Sequence, residues 1–385
     1  MTVTVAIDSF KGSLSTFEAA AAVKDGIRAA LPDAKVFEIP LADGGEGTVK
    51  AIASVGAELK GVTARGPLGT PVTAEYCLIQ GGRVAVIEMA AAAGLTLIPD
   101  KERNPMLTST YGVGELIRHV IENDGCREII IGIGGSATND GGVGMLSALG
   151  FRFLDENGES IPNGCIGLKN LSEIDTSDAM KELCNCSFTV ACDVDNPLTG
   201  ERGASAVFSP QKGASEVDVP LMDAYLGKYA DLTASLLHKD MRDHPGAGAA
   251  GGLGFALISY LGATLRPGIE LVSEAIDLDK FVRMSDLVIT GEGRLDGQSA
   301  MGKAPVGVAK IANRYGKICI ALSGCIGKGA AECNNKGIDA FFPILQAPCS
   351  LEDAMSPDTA KNNLKNTAEQ VMRLVLASTK IGEII

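Results

Sequence analysis

Tryptophan is absent from this sequence, and aromatic residues make up only 4% of it. Proteins that hold single-stranded nucleic acid stack bases on aromatic faces, and such faces are scarce here. Positive charge is also short: 34 Lys and Arg stand against 47 Asp and Glu, for a net charge of −13. That balance argues against nucleic acid or an anionic membrane as a partner. Only three histidines occur, His119, His238 and His244. Ten cysteines do occur, but no C-x-x-C, and the nearest pair is Cys184-Asn185-Cys186. No zinc site assembles from that set, and cysteines so scattered read as reduced core residues. The longest uncharged stretch, Pro245 to Leu265, is broken by glycines and makes a poor membrane span. The start, MTVTVAIDSFKG, has neither the basic nor the apolar region of a secretion signal. The expectation is a cytoplasmic protein with no nucleic-acid and no membrane partner.

What is plentiful is apolar side chain, 46% of 385 residues, and glycine, 47 residues. That length and apolar content predict two domains with sizeable cores. The densest glycine cluster is IGIGGSATNDGGVGM, Ile131 to Met145. The apolar run Glu128-Ile129-Ile130-Ile131 leads into it, and a helical pattern with Val143, Met145, Leu146 and Leu149 follows. Strand, glycine loop and helix N-terminus in that order can hold an anion on backbone N–H groups. The chemistry expected of this loop is phosphate binding, and the competing reading is a tight turn without a ligand.

The chain ends read as parallel α/β units. Thr2 to Ile7 is a β-branched strand ending at Asp8-Ser9-Phe10-Lys11, and Ser15 with Glu18 forms a capping box before a helix from Ala19 to Leu31. A second strand, Lys35 to Ile39, leads to Ala42-Asp43-Gly44-Gly45-Glu46-Gly47-Thr48. Ligands in such folds sit beyond the carboxyl ends of strands, where Asp8, Lys11 and Asp43 fall. From Gly61 to Met89 three short strands with turns at Pro67-Leu68-Gly69 and Gln80-Gly81-Gly82 predict an antiparallel meander, and the start of an inserted domain. Glu88 is then a helix cap or a site residue, with a site favoured, and His119 lies on the polar side of a helix. After a strand ending at Cys192 come Asp193, Asp195 and Asn196, carboxylates able to hold Mg²⁺ or take a hydroxyl proton, or to form a turn before Pro197. Gly246, Gly248 and Gly251 spell G-x-G-x-x-G, but no strand precedes them. The strand Asp286 to Thr290 is expected to end at Gly291-Glu292-Gly293-Arg294-Leu295-Asp296. Gly297 to Ala304 then resembles a P-loop with Ala304 in place of the Mg²⁺-binding hydroxyl, several residues past its strand; Lys303 there is a plausible phosphate contact.

Taken together the motifs resemble the bacterial glycerate kinase type-1 family. The runs that carry the likeness are DSFKGSLS from Asp8, ADGGEGT from Ala42, IEMAAAAGL from Ile87 and GIGGSATNDGG from Gly132. They continue with ACDVDNPLTG from Ala191, FSPQKGAS from Phe208, PGAGAAGG from Pro245 and TGEGRLDGQSAMGKAP from Thr290. One departure is Ile7, where proline is expected before the Asp-Ser pair.

The resemblance implies an α/β protein with a Rossmann-like parallel-sheet domain built from both chain ends, residues 1–60 and 265–385. Residues 61–264 would form an inserted second α/β domain, with the active site in the cleft between the two. It implies a kinase that moves the ATP γ-phosphate to a hydroxyl of D-glycerate and forms 2-phosphoglycerate, with the 3-phosphate as the alternative. ATP and Mg²⁺ are the implied cofactors, and a monomer or homodimer the implied state. Phosphoryl transfer needs positioning and charge neutralisation. Asp193 is the expected base, with Asp43, Glu46 and Glu292 as rivals; Lys11, Lys212 and Arg294 are the expected cations. Gly134, Gly135, Ser136, Thr138, Asn139 and Asp140, with Gly248, Gly251 and Lys303, would cradle the nucleotide phosphates. Asp8, Ser9, Asp43, Glu46, Glu292 and Arg294 would bind substrate, and Asp195 and Asp296 the metal. Two other readings stay open. A nicotinamide-dependent dehydrogenase is suggested by Gly132, Gly134 and Ala137 after a strand with Asp155 further on, although Gly141-Gly142 starts a helix badly. The other is a sensor that binds a sugar acid and nucleotide without turnover.

Overall fold

The computed structural model describes residues 1–382. Its strands in chain order are β1 Thr2–Ile7, β2 Lys35–Pro40, β3 Glu58–Arg65, β4 Pro71–Ile79, β5 Val84–Glu88, β6 Glu128–Gly132 and β7 Arg152–Leu154. They continue as β8 Glu173–Asp175, β9 Ser187–Ala191, β10 Thr264–Arg266, β11 Leu287–Leu295, β12 Ile318–Ile326 and β13 Ala340–Pro343. The chain forms two compact units, residues 1–43 with 269–385, and residues 44–268.

In the first unit the five strands lie in the order β13-β12-β11-β1-β2, all parallel. Counted along the unit this is the doubly wound order 2-1-3-4-5, whose direction reverses between its first and third strands. Here those strands are β1 and β11. Central parallel strands are covered on both faces and read as continuous apolar runs, and Val3 to Ile7 is wholly buried. Helix Thr16–Ala30 and helix Pro357–Gly382 cover one face, over Val3, Val5, Ile7, Leu287 and Ile289. The capping box at Ser15 is present. The Thr16 hydroxyl donates to the Ile7 carbonyl at 2.6 Å and accepts the Leu41 N–H at 3.1 Å. This one hydroxyl ties the helix start to the carboxyl ends of β1 and β2, and so fixes the loop that carries Asp8 to Lys11.

Strand β11 runs past the expected stop at Thr290, pairing Arg294 with Cys325. Glycine usually punctuates a strand, but here it admits a neighbour: a Cβ on Gly291 would lie 2.0 Å from the Leu322 carbonyl oxygen. The P-loop-like run is therefore separated from its strand by Asp296 alone. Its helix is Ala304–Arg314, with Lys303 as the N-cap.

The second unit has a six-stranded sheet, β10-β9-β6-β5-β4-β3. The expected meander is there, β3 to β4 to β5 antiparallel, and β5, β6, β9 and β10 continue it in parallel. Residues 44–60, read from the sequence with the chain ends, belong to this unit. Part of the reason is Glu88 at the end of β5, whose carboxylate accepts the N–H groups of Val49 at 2.6 Å and Gly47 at 3.2 Å. Glu88 thus anchors the start of helix Thr48–Ser54 and is a cap, not the favoured site residue. His119 is half-buried and meets the Tyr76 hydroxyl at 3.1 Å, and that hydroxyl donates to Asp124 at 2.7 Å. Among the described residues no helix is long and apolar enough to cross a membrane.

Candidate active site

The carboxyl ends of the five parallel strands of the first unit open into one cavity of ≈ 970 Å³. Asp8, Ser9 and Lys11 reach it from β1, Asp43 from beyond β2, and Glu292 and Arg294 from β11. Asp296, Gln298 and Lys303 line it from the turn before helix Ala304–Arg314, and Lys328 from beyond β12. Eight of the residues singled out from the sequence thereby share one wall system: Asp8, Ser9, Lys11, Asp43, Glu292, Arg294, Asp296 and Lys303.

Their electrostatics are mixed by design of the loops. The Lys11 ammonium donates to Asp43 Oδ2 at 2.9 Å. Asp8 is 7% exposed, and its Oδ1 accepts the Ser9 N–H at 2.6 Å. Burial, with the Asp43 carboxylate adding to it, pushes the Asp8 carboxyl up to about 7, against the pull of the Ser9 N–H and Lys11. Glu292 is also pushed above its ordinary value by burial, opposed by the hydroxyl that Ser299 donates to it and by Lys303. Arg294 Nε lies 3.2 Å from Asp296 Oδ2, and the Lys303 ammonium donates to Gln298 Oε1 at 3.2 Å.

In the second unit the two glycine-rich loops meet each other. Gly251 has φ +68 and accepts the Gly141 N–H at 3.0 Å; a Cβ there would lie 2.0 Å from the Thr138 carbonyl oxygen. Gly248 and Gly251 are fully enclosed, so their missing side chains serve backbone packing, not an exposed phosphate cradle. Asp140 is fully buried, and its carboxylate accepts the Thr110 N–H at 2.8 Å and those of Gly142 and Gly144 at 3.1 and 3.2 Å. The Thr110 hydroxyl donates to it at 2.9 Å and accepts the Met145 N–H at 2.9 Å. The expected anion site at the start of helix Val143–Ala148 is thus filled by the chain's own carboxylate.

What remains open on this loop is its tip, Gly134 to Ser136, with Gly135 exposed at φ +73. Behind the tip stands Lys212, 2% exposed, donating to Ser136 Oγ at 2.7 Å and the Thr138 carbonyl at 2.8 Å. Burial pushes its ammonium down to about 7, with Asp140 pulling the other way. Asn139 donates to Ser205 Oγ at 3.0 Å, while Asn139 Oδ1 and Thr138 Oγ1 are buried without a hydrogen-bond partner.

Three sequence candidates do not line the first unit's cavity. Asp193 is exposed and its Oδ1 accepts the Gly268 N–H at 3.0 Å. Asp195 is 75% exposed and paired with Arg202 at 2.9 Å. Glu46 is exposed on the loop before helix Thr48–Ser54. Lys328 and Gln298 were missed. Lys328 follows β12 within Gly327-Lys328-Gly329, and the strand-end rule that flags Asp8 flags it equally.

A unit with a doubly wound sheet and an acid- and cation-lined cavity at its reversal, and a second unit with a lysine-backed glycine loop, define an α/β enzyme class that handles anionic ligands. Residues 3–376 match the glycerate kinase family. A glycerate kinase of Bacillus subtilis (strain 168) is 47% identical over 385 residues, covering 100% of this chain and 99% of that protein. A glycerate 2-kinase of Escherichia coli (strain K12) is 47% identical over 356 residues, covering 92% and 93%. A provisionally named glycerate kinase 2 from Salmonella typhimurium LT2, known from its crystal structure, is 48% identical, with a TM-score of 0.85 over 99% of each chain. The chain belongs to the glycerate kinase family.

Proposed function

We propose that this chain transfers the γ-phosphoryl group of ATP to a hydroxyl of D-glycerate, giving 2-phosphoglycerate and ADP. The observation that carries this reading is the match along nearly the whole chain to glycerate kinases, one of them named a glycerate 2-kinase. Its physical support is the first unit's cavity, where Lys11, Arg294, Lys303 and Lys328 offer positive charge next to desolvated carboxylates.

A proton must leave the attacking hydroxyl, and the best base is one that changes charge near the working pH. Asp8, held near neutrality by burial, suits that task. Asp193 is the second candidate; its exposure and its bond to the Gly268 N–H favour it less. The Ser136 tip, with Lys212 behind it, suits a small anion. The cations of the cavity then neutralise the phosphates.

Mg²⁺ belongs to the same proposal. Among the described residues no group of three or more His, Cys, Asp or Glu is arranged to hold a metal ion. In phosphoryl transfer the ion is held by a carboxylate or two, the rest of its shell coming from phosphates and water. Asp296 and Glu292, hard oxygen donors on one cavity wall, fit that requirement, whereas Asp195 is engaged by Arg202 at the surface. Bound there, Mg²⁺ would screen the charge of the phosphates.

The test is a coupled assay with ATP, Mg²⁺ and D-glycerate, with the product identified by NMR. Formation of 2-phosphoglycerate is expected; the 3-phosphate keeps the enzyme class but reverses the acceptor, and no phosphorylated product from any hydroxy acid refutes the reading. Within it, Asp8→Asn loses about a hundredfold or more in kcat, as loss of a general base does. Asp193→Asn stays within about tenfold of wild type, and the reverse ranking returns the base to Asp193.

A further inference from the structure

We infer that the cavity of the first unit is the nucleotide site, with the triphosphate among its cations and the adenine base in an apolar recess at its rim. The inference rests on the kinase reading for its ligand class, and it assigns the nucleotide to the first unit, whereas a phosphate cradle was expected on the two glycine-rich loops of the second.

Size is the first argument. Cavities of about 300–1,000 Å³ are those that enclose drug-sized ligands, and this one is ≈ 970 Å³. Glycerate, a three-carbon hydroxy acid, leaves most of that space empty. The second argument is the lining. Beyond the charged residues the wall includes the apolar side chains of Phe10, Met301, Ile344, Leu345, Leu351 and Met355. Met301 is 87% exposed and Leu351 78%, so bare apolar side chains stand at the rim of a site otherwise built of charge. Glycerate has no apolar face to lay against them. A purine has two broad ones, and aliphatic side chains above and below a flat ring bury it well.

The third argument is how the two kinds of wall are distributed. Asp8 and Lys11 follow β1, Arg294 ends β11, and Lys328 follows β12. Ile344 and Leu345 follow β13, and Met355, at the end of helix Leu351–Met355, reaches the loop after β1, where a Cβ on Gly12 would lie 2.8 Å from its Cε. Cations therefore line the cavity from β1 to β12, while apolar side chains reach it from β13 and from helix Leu351–Met355. Three interstrand spacings of ~4.8 Å make the sheet edge beneath the cavity about 14 Å from β1 to β13, a span for base, ribose and phosphates in a line. The charged end sits at the β1–β11 reversal, where doubly wound sheets open a crevice for ligands.

The experiment titrates ADP into wild type, Leu351→Asp and Met301→Glu by calorimetry, without glycerate, and measures KM for ATP and for D-glycerate in the same proteins. Both side chains are exposed at the rim, and thermal melts of the variants confirm folding. A carboxylate in the recess is expected to weaken ADP binding, and raise KM for ATP, by about tenfold or more, with KM for D-glycerate within about twofold. Unchanged ADP binding in both variants overturns the inference, and so does a rise confined to the D-glycerate KM, which would give the cavity to the acceptor. Because ADP binding is read without turnover, recess-dependent binding in a protein that fails to phosphorylate glycerate supports the nucleotide site while refuting the acceptor. A wild type that binds no ADP overturns the nucleotide site itself.

Discussion

Lys212 offers a sharp check on the electrostatic argument. Its ammonium is 2% exposed and has two hydrogen-bond partners, a neutral hydroxyl and a carbonyl. Burial brings its pKa from 10.5 to about 7. A fall of roughly 3.5, at about 1.36 kcal/mol for each, amounts to about 5 kcal/mol between the charged and neutral forms. The sign follows from proton counting. Between about pH 7 and 10.5 the unfolded chain keeps the proton and the folded chain has released it, so stability rises with pH across that window by about 1.4 kcal/mol per pH unit. Below about pH 7 both states are protonated and the cost of burying the charge is fully present. Lys212→Met keeps the length of the side chain and removes the titration. The stability of wild type minus that of the variant is therefore expected to increase by about 2–3 kcal/mol from pH 7 to pH 9, over a constant offset for the lost hydrogen bonds. Without tryptophan, urea unfolding is followed by far-ultraviolet circular dichroism. A difference that stays flat from pH 6 to pH 9 refutes the reasoning, because it means that Lys212 is solvated or paired well enough to titrate as in water.

Asp8 gives the complementary case: its raised pKa makes its stabilising contribution complete below 3.8 and lost as pH climbs through about 7. Asp8→Asn is expected to gain about 2–3 kcal/mol on wild type between pH 5 and pH 8, read from paired melts, while losing turnover. Thr110→Val removes a hydroxyl that serves both Asp140 and the Met145 N–H, and a cost of about 2–3 kcal/mol in urea unfolding is expected. Gly251→Ala meets the Thr138 carbonyl and a left-handed backbone, so it loses about 3 kcal/mol or more, or fails to express in soluble form. Gly135→Ala has only Ala90 Cβ within 4 Å, at 3.4 Å, and is expected to cost only about 1 kcal/mol in urea unfolding.

The fold was legible where local chemistry and tertiary context agree. Ser15 and Glu18 announced a helix start and form one, and the period-two strands around Pro67 and Gly81 make the meander they suggest. Legibility failed where glycine stands for close approach. Gly291 and Gly293 read as the end of β11, yet the strand continues through both, and Gly291 is needed to lie against Leu322 of β12. It failed again at Glu88, where an acid in an apolar run proved to cap a helix that begins 40 residues upstream, at Thr48. Pairings at such separation leave no local trace, and the same holds for the rim residues Met301 and Leu351, which are distant in sequence from Asp8 and share its cavity.

The candidate site divides along the same line. Strand ends are visible in a sequence, so the rule that ligands sit beyond them gathers Asp8, Lys11 and Asp43 from the sequence alone. Glycine-rich loops are visible too, but a glycine cluster has two physical causes: a ligand's approach to the backbone, or another backbone's approach. The two clusters of the second unit, at Gly132 and at Gly246, each resembled a phosphate loop because each was considered without the other. Brought together, Gly251 fills the space against Thr138, and Asp140 takes the N–H groups that would have met a phosphate. Asp140 was itself in view in the sequence. An acid two residues before the first N–H it caps, inside a loop proposed to hold an anion, is a competitor for the same donors. Its presence there argues for a self-capped turn, and leaves for a ligand only the tip at Gly135 that the carboxylate cannot reach.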